Sequence, residues 1–142
     1  MMYGRDELEW DELVDEGHEF LIERARLGRT TTYTELNTVV RERTRLKGFD
    51  FSRDADRAAM GYLLGRIVDK DRETNPELMI SALVIYLNAT DAGSGFYAKA
   101  KEVGLLKDGM DRLEFWVRQL QQIQDRYRRR QRTAAGTTPM NP

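Results

Sequence analysis

The chain has no cysteine, a single histidine, and only three prolines in 142 residues. Without cysteine there is no disulfide, no thiol nucleophile, no thiolate zinc site and no iron–sulfur cluster. One histidine excludes paired-histidine zinc motifs. Charge of one sign is also missing: 23 basic residues face 24 acidic ones, a formal net charge of −1. That balance gives no global pull toward nucleic acid or an anionic membrane. Long apolar runs are absent too. The longest, Ala82 to Leu87, is of strand length, far short of the ~20 residues that span a bilayer. The first residues, Met1 to Glu19, are acidic and lack the basic and apolar regions of a signal peptide. The expectation is a cytoplasmic protein with no membrane partner. Its length suits one compact domain over residues 1–132, with a disordered-tail composition over 133–142.

What is present is uneven charge. Residues 1–20 carry Asp6, Glu7, Glu9, Asp11, Glu12, Asp15, Glu16 and Glu19 against Arg5 alone. Residues 24–53 carry Arg24, Arg26, Arg29, Arg41, Arg43, Arg45, Lys47 and Arg53 against Glu35, Glu42 and Asp50. Arg126, Arg128, Arg129, Arg130 and Arg132 form a third block without an acid. Such asymmetry points to a nucleic-acid or acidic-partner surface. Equally, the acidic helix can neutralise the basic segment within the chain.

Local patterns place the elements. Leu8, Leu13, Phe20, Leu21, Ala25 and Leu27 recur at helical spacing, predicting a helix over 6–27 with Asp6 as N-cap and Gly28 ending it. Thr32 followed by Glu35 matches a capping box and opens a second helix, ending near Arg43. Residues 44–52 read as a loop. Ser52 is the expected cap of a third helix, whose inner face is Ala55, Ala59, Leu63 and Ile67, flanked by Met60 and Leu64. The segment Leu78 to Tyr86 is the strand candidate, followed by a turn over 88–95 and a short helix over 96–103. A last helix runs from about 109 to 130. Its inner face is Met110, Leu113, Val117, Leu120, Ile123 and Tyr127, with Phe115 and Trp116 widening it. A homodimer through residues 109–130 is the other use for that wide stripe.

The order helix, helix, loop, helix, strand, turn is that of a winged-helix module: a mostly α domain with a small β element and a long C-terminal helix. In that module the third helix enters the major groove. Arg53, Arg57, Arg66 and Lys70 are then the candidate DNA-binding residues, with Tyr62 beside them, and Arg126, Arg128, Arg129, Arg130 and Arg132 extend the contact. The counterweight is Asp54, Asp56, Asp69 and Asp71 on the same helix, which would repel phosphates.

Thr32-Tyr33-Thr34-Glu35-Leu36, Met60-Gly61-Tyr62-Leu63-Leu64-Gly65-Arg66-Ile67, Leu83-Val84-Ile85 and Gly93-Ser94-Gly95-Phe96-Tyr97 together resemble a pattern in small bacterial and mobile-element proteins. The first part is also similar to the winged-helix DNA-binding domain of the alkylguanine-DNA alkyltransferases and alkyltransferase-like proteins. The resemblance covers roughly residues 30–105 and implies a nucleic-acid-binding or defence-associated accessory module. The alkyltransferase Pro-Cys-His-Arg-Val segment is absent. Ile80-Ser81-Ala82-Leu83-Val84 stands in its place, so methyl transfer to cysteine is excluded.

No nucleophile, base and orienter form a set, and no catalytic residue, metal ligand or cofactor is expected. His18 between Glu16 and Glu19 reads as a lone surface histidine, and Gly93-Ser94-Gly95 as a plain turn before an anion cradle. The leading expectation is a non-enzymatic DNA-binding protein, a regulator or accessory factor of a phage, mobile element or defence system. The alternative is a protein-interaction adaptor or inhibitor acting through its acidic N-terminal helix. A carboxylate-based metal-dependent nuclease comes third.

Overall fold

A computed structural model describes residues 1–86 and 92–137, with side chains up to Arg130. It is mostly helical, with a two-strand parallel sheet. In chain order the elements are α1 (Glu7–Arg26), β1 (Thr31–Thr32), α2 (Tyr33–Thr44), α3 (Asp54–Arg72), a 3₁₀ turn (Ile80–Leu83), β2 (Val84–Ile85), α4 (Ser94–Glu102) and α5 (Arg112–Thr137). α1 packs on α2, α3 and α5 and forms the centre of the fold.

The two ends of α1 follow the sequence closely. The Asp6 carboxylate accepts from the Glu9 N–H at 2.8 Å, and Glu9 returns a bond to the Asp6 N–H at 3.0 Å. That reciprocal box satisfies two donors that the first turn leaves orphaned. At the other end Gly28 takes a φ of +69°. The Arg29 N–H then reaches the Arg24 carbonyl at 2.9 Å, and the Gly28 N–H the Ala25 carbonyl at 3.0 Å. This is a Schellman ending, which needs the left-handed residue glycine supplies.

The buried stripe of α1 differs from the expected one. Trp10, Leu13, Val14, Gly17, Phe20, Leu21 and Ala25 face the core, whereas Leu8 is 74% exposed and Leu27 62%. Trp10 is fixed by an indole N–H bond to the Met2 carbonyl at 2.9 Å, and packs edge-on to Tyr62 of α3. Gly17 marks the closest approach to α3: a Cβ there would lie 2.7 Å from Ile67 Cδ1.

Thr32 caps α2 as expected, its hydroxyl accepting from the Glu35 N–H at 3.1 Å. The reciprocal half of the box is absent. The Glu35 carboxylate instead accepts from the Thr31 hydroxyl at 2.5 Å and from Arg24 at 2.6 Å, tying β1 and α2 to α1. Ser52 does not cap α3. Its hydroxyl and N–H both bond Asp50, and Arg53 occupies the N-cap position without a side-chain cap bond. Along α3, Ala59, Met60, Leu63, Leu64, Ile67 and Val68 are buried, while Ala55 is exposed.

The expected strand over Leu78–Tyr86 is strand only at Val84–Ile85; Ile80–Leu83 is the 3₁₀ turn. Leu78 to Leu83 are all buried, and an apolar run covered on all sides shows no periodicity by which strand and helix can be told apart. Its backbone polar groups are met from α5. The Met79 N–H donates to Gln119 Oε1 at 2.7 Å, and the Trp116 indole donates to the Ala82 carbonyl at 2.9 Å. Buried irregular backbone is tolerated when each group finds such a partner. β2 pairs parallel with β1, Thr31 opposite Val84 and Thr32 opposite Ile85. Parallel pairing requires a crossover, here α2, α3 and the 3₁₀ turn.

Of the expected turn over 88–95, residues 88–91 lie outside the described ones; Ala92 bridges antiparallel to Ile85, and Gly93 precedes α4. α4 lies close to its expected place. α5 begins at Arg112 rather than near 109, leaving Met110 outside it; Phe115, Trp116, Gln119, Ile123 and Tyr127 are buried, whereas Met110, Leu113 and Val117 are exposed. The helix is rotated from the expected face because Trp116 and Gln119 serve the 78–83 backbone. α5 also continues to Thr137. The rest of the expected tail, 138–142, lies outside the described residues. No described helix is long and apolar enough to cross a membrane.

Candidate functional site

The cations of α3 are largely engaged. Arg57 pairs with Asp54 one turn earlier and donates to the Phe51 carbonyl at 2.5 Å. Arg66 reaches across to α1, to Asp11 at 2.8 Å and Glu7 at 3.5 Å. Lys70 pairs with Asp15. Glu7, Asp11 and Asp15 recur every four residues, so they form one row along α1 opposite the α3 cations. On α2, Arg43 holds Glu23 at 2.9 and 3.2 Å and Glu16 at 3.8 Å. The acidic block therefore neutralises Arg66 and Lys70 of α3, whereas of the basic block over 24–53 it meets only Arg43 among the described residues, through Glu16. Arg53, exposed at the start of α3, has no ion pair among the described residues.

The arginines of α5 divide. Arg126 donates to Asn75 Oδ1 at 2.9 Å and pairs with Glu77, so it fastens α5 to the loop after α3. Arg128, Arg129 and Arg130 are exposed, and none has a carboxylate partner among the described residues. Tyr127 faces the core. With ~100° per residue, Arg129 points away from it and Arg128 and Arg130 flank. The Arg130 guanidinium lies 5.7 Å from the Tyr127 ring centroid. Arg128 lies over the Schellman turn, its guanidinium occupying the place of a Gly28 Cβ. That turn carries Arg26 and Arg29, both exposed and without an ion pair among the described residues. The C-terminal end of α1 and Arg128 of α5 thus meet in a basic surface without an ion pair among the described residues, with Arg129 next along the helix. Arg130 lies on the other flank, where its charge, like that of Arg126, acts on Glu77. Arg132 lies in α5 with its side chain outside the described residues.

α5 is held by a buried polar cluster that the sequence pattern concealed. Asp71 is fully buried; its Oδ1 accepts from the Tyr127 hydroxyl, from His18 Nε2 at 2.9 Å and from Asn75 Nδ2 at 3.3 Å. Its Oδ2 has no hydrogen-bond partner among the described residues. His18 is therefore not a lone surface residue: it joins α1 to α3, and Tyr127 joins both to α5. Burial, then the hydrogen bond it donates to Asp71, pushes the Tyr127 phenol well above its ordinary value. The readable signal was Asp71 itself, an acid four residues beyond Ile67 on the apolar face of α3. Among the described residues, no group of three or more histidines and carboxylates is placed to hold a metal ion.

Elsewhere, a cleft of 590 Å³ opens between the starts of α2 and α4 and one face of α3. Met60, Leu64 and Val68 supply apolar wall, and Tyr33 and Tyr86 stand with ring centroids 4.7 Å apart. Burial, and to a lesser degree Tyr86, pushes the Tyr33 phenol up to about 12, so it is a neutral hydroxyl at physiological pH. Gly61 and Gly65, one turn apart on α3, leave part of this wall without side chains, and a Cβ at either would meet nothing within 4 Å. The chain matches no protein family, no curated protein and no solved structure.

Proposed function

We propose that the chain is a non-enzymatic nucleic-acid-binding protein, a regulator or accessory factor of a phage, mobile element or defence system, and that it contacts duplex DNA with its arginine end. The observation that carries this is Arg128 lying over the turn that bears Arg26 and Arg29, with Arg129 and Arg130 exposed on the same end of α5, none of them in an ion pair among the described residues. Free guanidiniums on one surface bind phosphates and release counterions. The order α1, α2, α3, β2 supports a winged-helix-like reading of the domain. Yet a phosphate reaching Arg66 or Lys70 must first displace Asp11, Glu7 or Asp15. The third helix is thus the weaker contact, with Arg53 its free cation. An adaptor surface on α1 is disfavoured for the same reason, since Glu7, Asp11, Asp15, Glu16 and Glu23 all face cations of this chain. A homodimer through residues 109–130 would cover Met110, Leu113 and Val117.

A salt-dependent titration on duplex DNA tests the proposal. With about five phosphate contacts, log K should fall against log salt with a slope near −4.5. Absence of duplex affinity tighter than about 10⁻⁴ M at low salt, weaker than ordinary non-specific binding, contradicts it.

A further inference from the structure

The 590 Å³ cleft has a built polar end that neither the core nor the arginine surface explains. Gly93 precedes α4 with no side-chain cap bond, so the first turn of that helix presents its N–H groups uncapped by a side chain beside the cleft residues Ser94 and Gly95. Ser81, on the cleft wall, is only 5% exposed, yet its hydroxyl makes no hydrogen bond to any described residue. Its oxygen is not among the fully buried unpaired atoms, so the little exposure Ser81 keeps leaves the hydroxyl open to an acceptor in the cleft it lines. Lys99 lines the same space, one turn into α4, and shares its charge with Asp69 at 3.0 Å and Glu102 at 3.7 Å. Apart from Thr34 and Arg57, the latter paired with Asp54, the remainder is apolar and aromatic: Met60, Leu64, Val68, Phe51, Phe96 and the Tyr33–Tyr86 pair. The space left by Gly61 and Gly65 is open and flat, because helix backbone rather than side chain forms that wall.

We infer that this cleft binds a small planar aromatic molecule carrying one anionic group. Its ring lies against the Gly61–Gly65 face of α3 and the tyrosine pair, and its anion meets the α4 N-terminus and the Ser81 hydroxyl. The chemistry follows from the lining. An apolar, aromatic-rimmed cleft of this size suits a ring system, and a helix N-terminus with an added hydroxyl donor selects an anion over a cation. The site is independent of the arginine surface, and its occupation does not require DNA.

The probe is 8-anilinonaphthalene-1-sulfonate, an aromatic body with a single sulfonate, titrated into the full chain with fluorescence as readout. Its neutral counterpart, N-phenyl-1-naphthylamine, tests the anion requirement. Saturable one-to-one binding is expected, with the neutral counterpart at least fivefold weaker. Gly65→Leu fills the cleft from a helical position with open space, so binding should fall at least tenfold while the melting temperature holds or rises. Ser81→Ala should weaken the sulfonate probe severalfold and leave the neutral one unchanged. Two results overturn the inference: sulfonate binding that Gly65→Leu does not reduce while the fold persists, or equal affinity for the two probes. Should Gly65→Leu fail to fold, Gly61→Leu carries the same test one turn away. No saturable binding to the unaltered chain also overturns it.

Discussion

The two ends of α1 meet cations in opposite ways. Its first half presents Glu7, Asp11 and Asp15 to Arg66 and Lys70 of α3, and charge is cancelled across the helix pair. Its C-terminal end, with Arg26 in the last turn and Arg29 just past Gly28, lies under Arg128 of α5, and charge accumulates. Blocks of like charge in a sequence therefore do not identify a binding surface by themselves. The counter-charge that the fold brings opposite each block decides whether the cations remain available. By that criterion the third helix, which its place in the chain recommends for DNA contact, is the more neutralised surface, and the end of the last helix is the free one.

The comparison can be broken most severely at Asp71, which fixes α5 and thereby the place of its arginines. Asp71→Ala leaves the Tyr127 hydroxyl, His18 and Asn75 buried without their shared acceptor. A loss of about 3–5 kcal/mol is expected, the range for breaking a buried charged cluster, read as a lower urea midpoint at unchanged slope. Next comes Leu63→Ala on the inner face of α3, where the side chain is fully buried. About 2–5 kcal/mol should be lost, and an unchanged midpoint would contradict the packing that holds the α1–α3 ion pairs in register.

Alkaline pH gives a smaller effect. The Tyr33 phenol has its pKa raised from 10.0 to about 12 by burial. A group held above its unfolded value contributes stability in full below pH 10, and loses it as pH rises toward about 12. Stability should thus decline by on the order of 1 kcal/mol near pH 11, and Tyr33→Phe should flatten that decline in urea titrations at several pH values. Smallest is the direct charge test. Arg66→Gln with Lys70→Gln should cost at most about 1 kcal/mol each, an amount that salt screens. Arg128→Gln with Arg129→Gln should cost nothing measurable in chemical denaturation, because no carboxylate among the described residues loses a partner.

Features governed by neighbours in sequence were legible. The Asp6 cap, the Gly28 ending, the Thr32 cap and the short helix α4 each depend on residues within a turn of one another, though the expected Ser52 cap is taken by Asp50. Features governed by distant partners were not. Leu78–Leu83 has strand composition but folds as irregular chain and 3₁₀ turn, because Trp116 and Gln119 satisfy its backbone. Those same two residues rotate α5 and leave Leu113 and Val117 exposed, a shift that the apolar spacing of α5 alone could not display. Trp10 displaces Leu8 from the core stripe because Met2 and Tyr62 receive it. Arg126 stood among the candidate contacts by composition, yet Asn75 and Glu77 claim it. Arg128, Arg129 and Arg130 from the same run have no ion pair among the described residues, a division that no spacing within the run foretells.

The most direct measurement is the salt slope of duplex binding for two variants. One is Arg128→Gln, Arg129→Gln and Arg130→Gln together; the other is Arg57→Gln, Arg66→Gln and Lys70→Gln together. If the arginine end carries the phosphate contacts, the first should lower the slope by roughly three, at about 0.9 per contact, and weaken all sequences alike. The second should change it by less than about one. The reverse order, a slope unmoved by the α5 substitutions and collapsed by those on α3, would contradict the assignment and return the contact to the third helix.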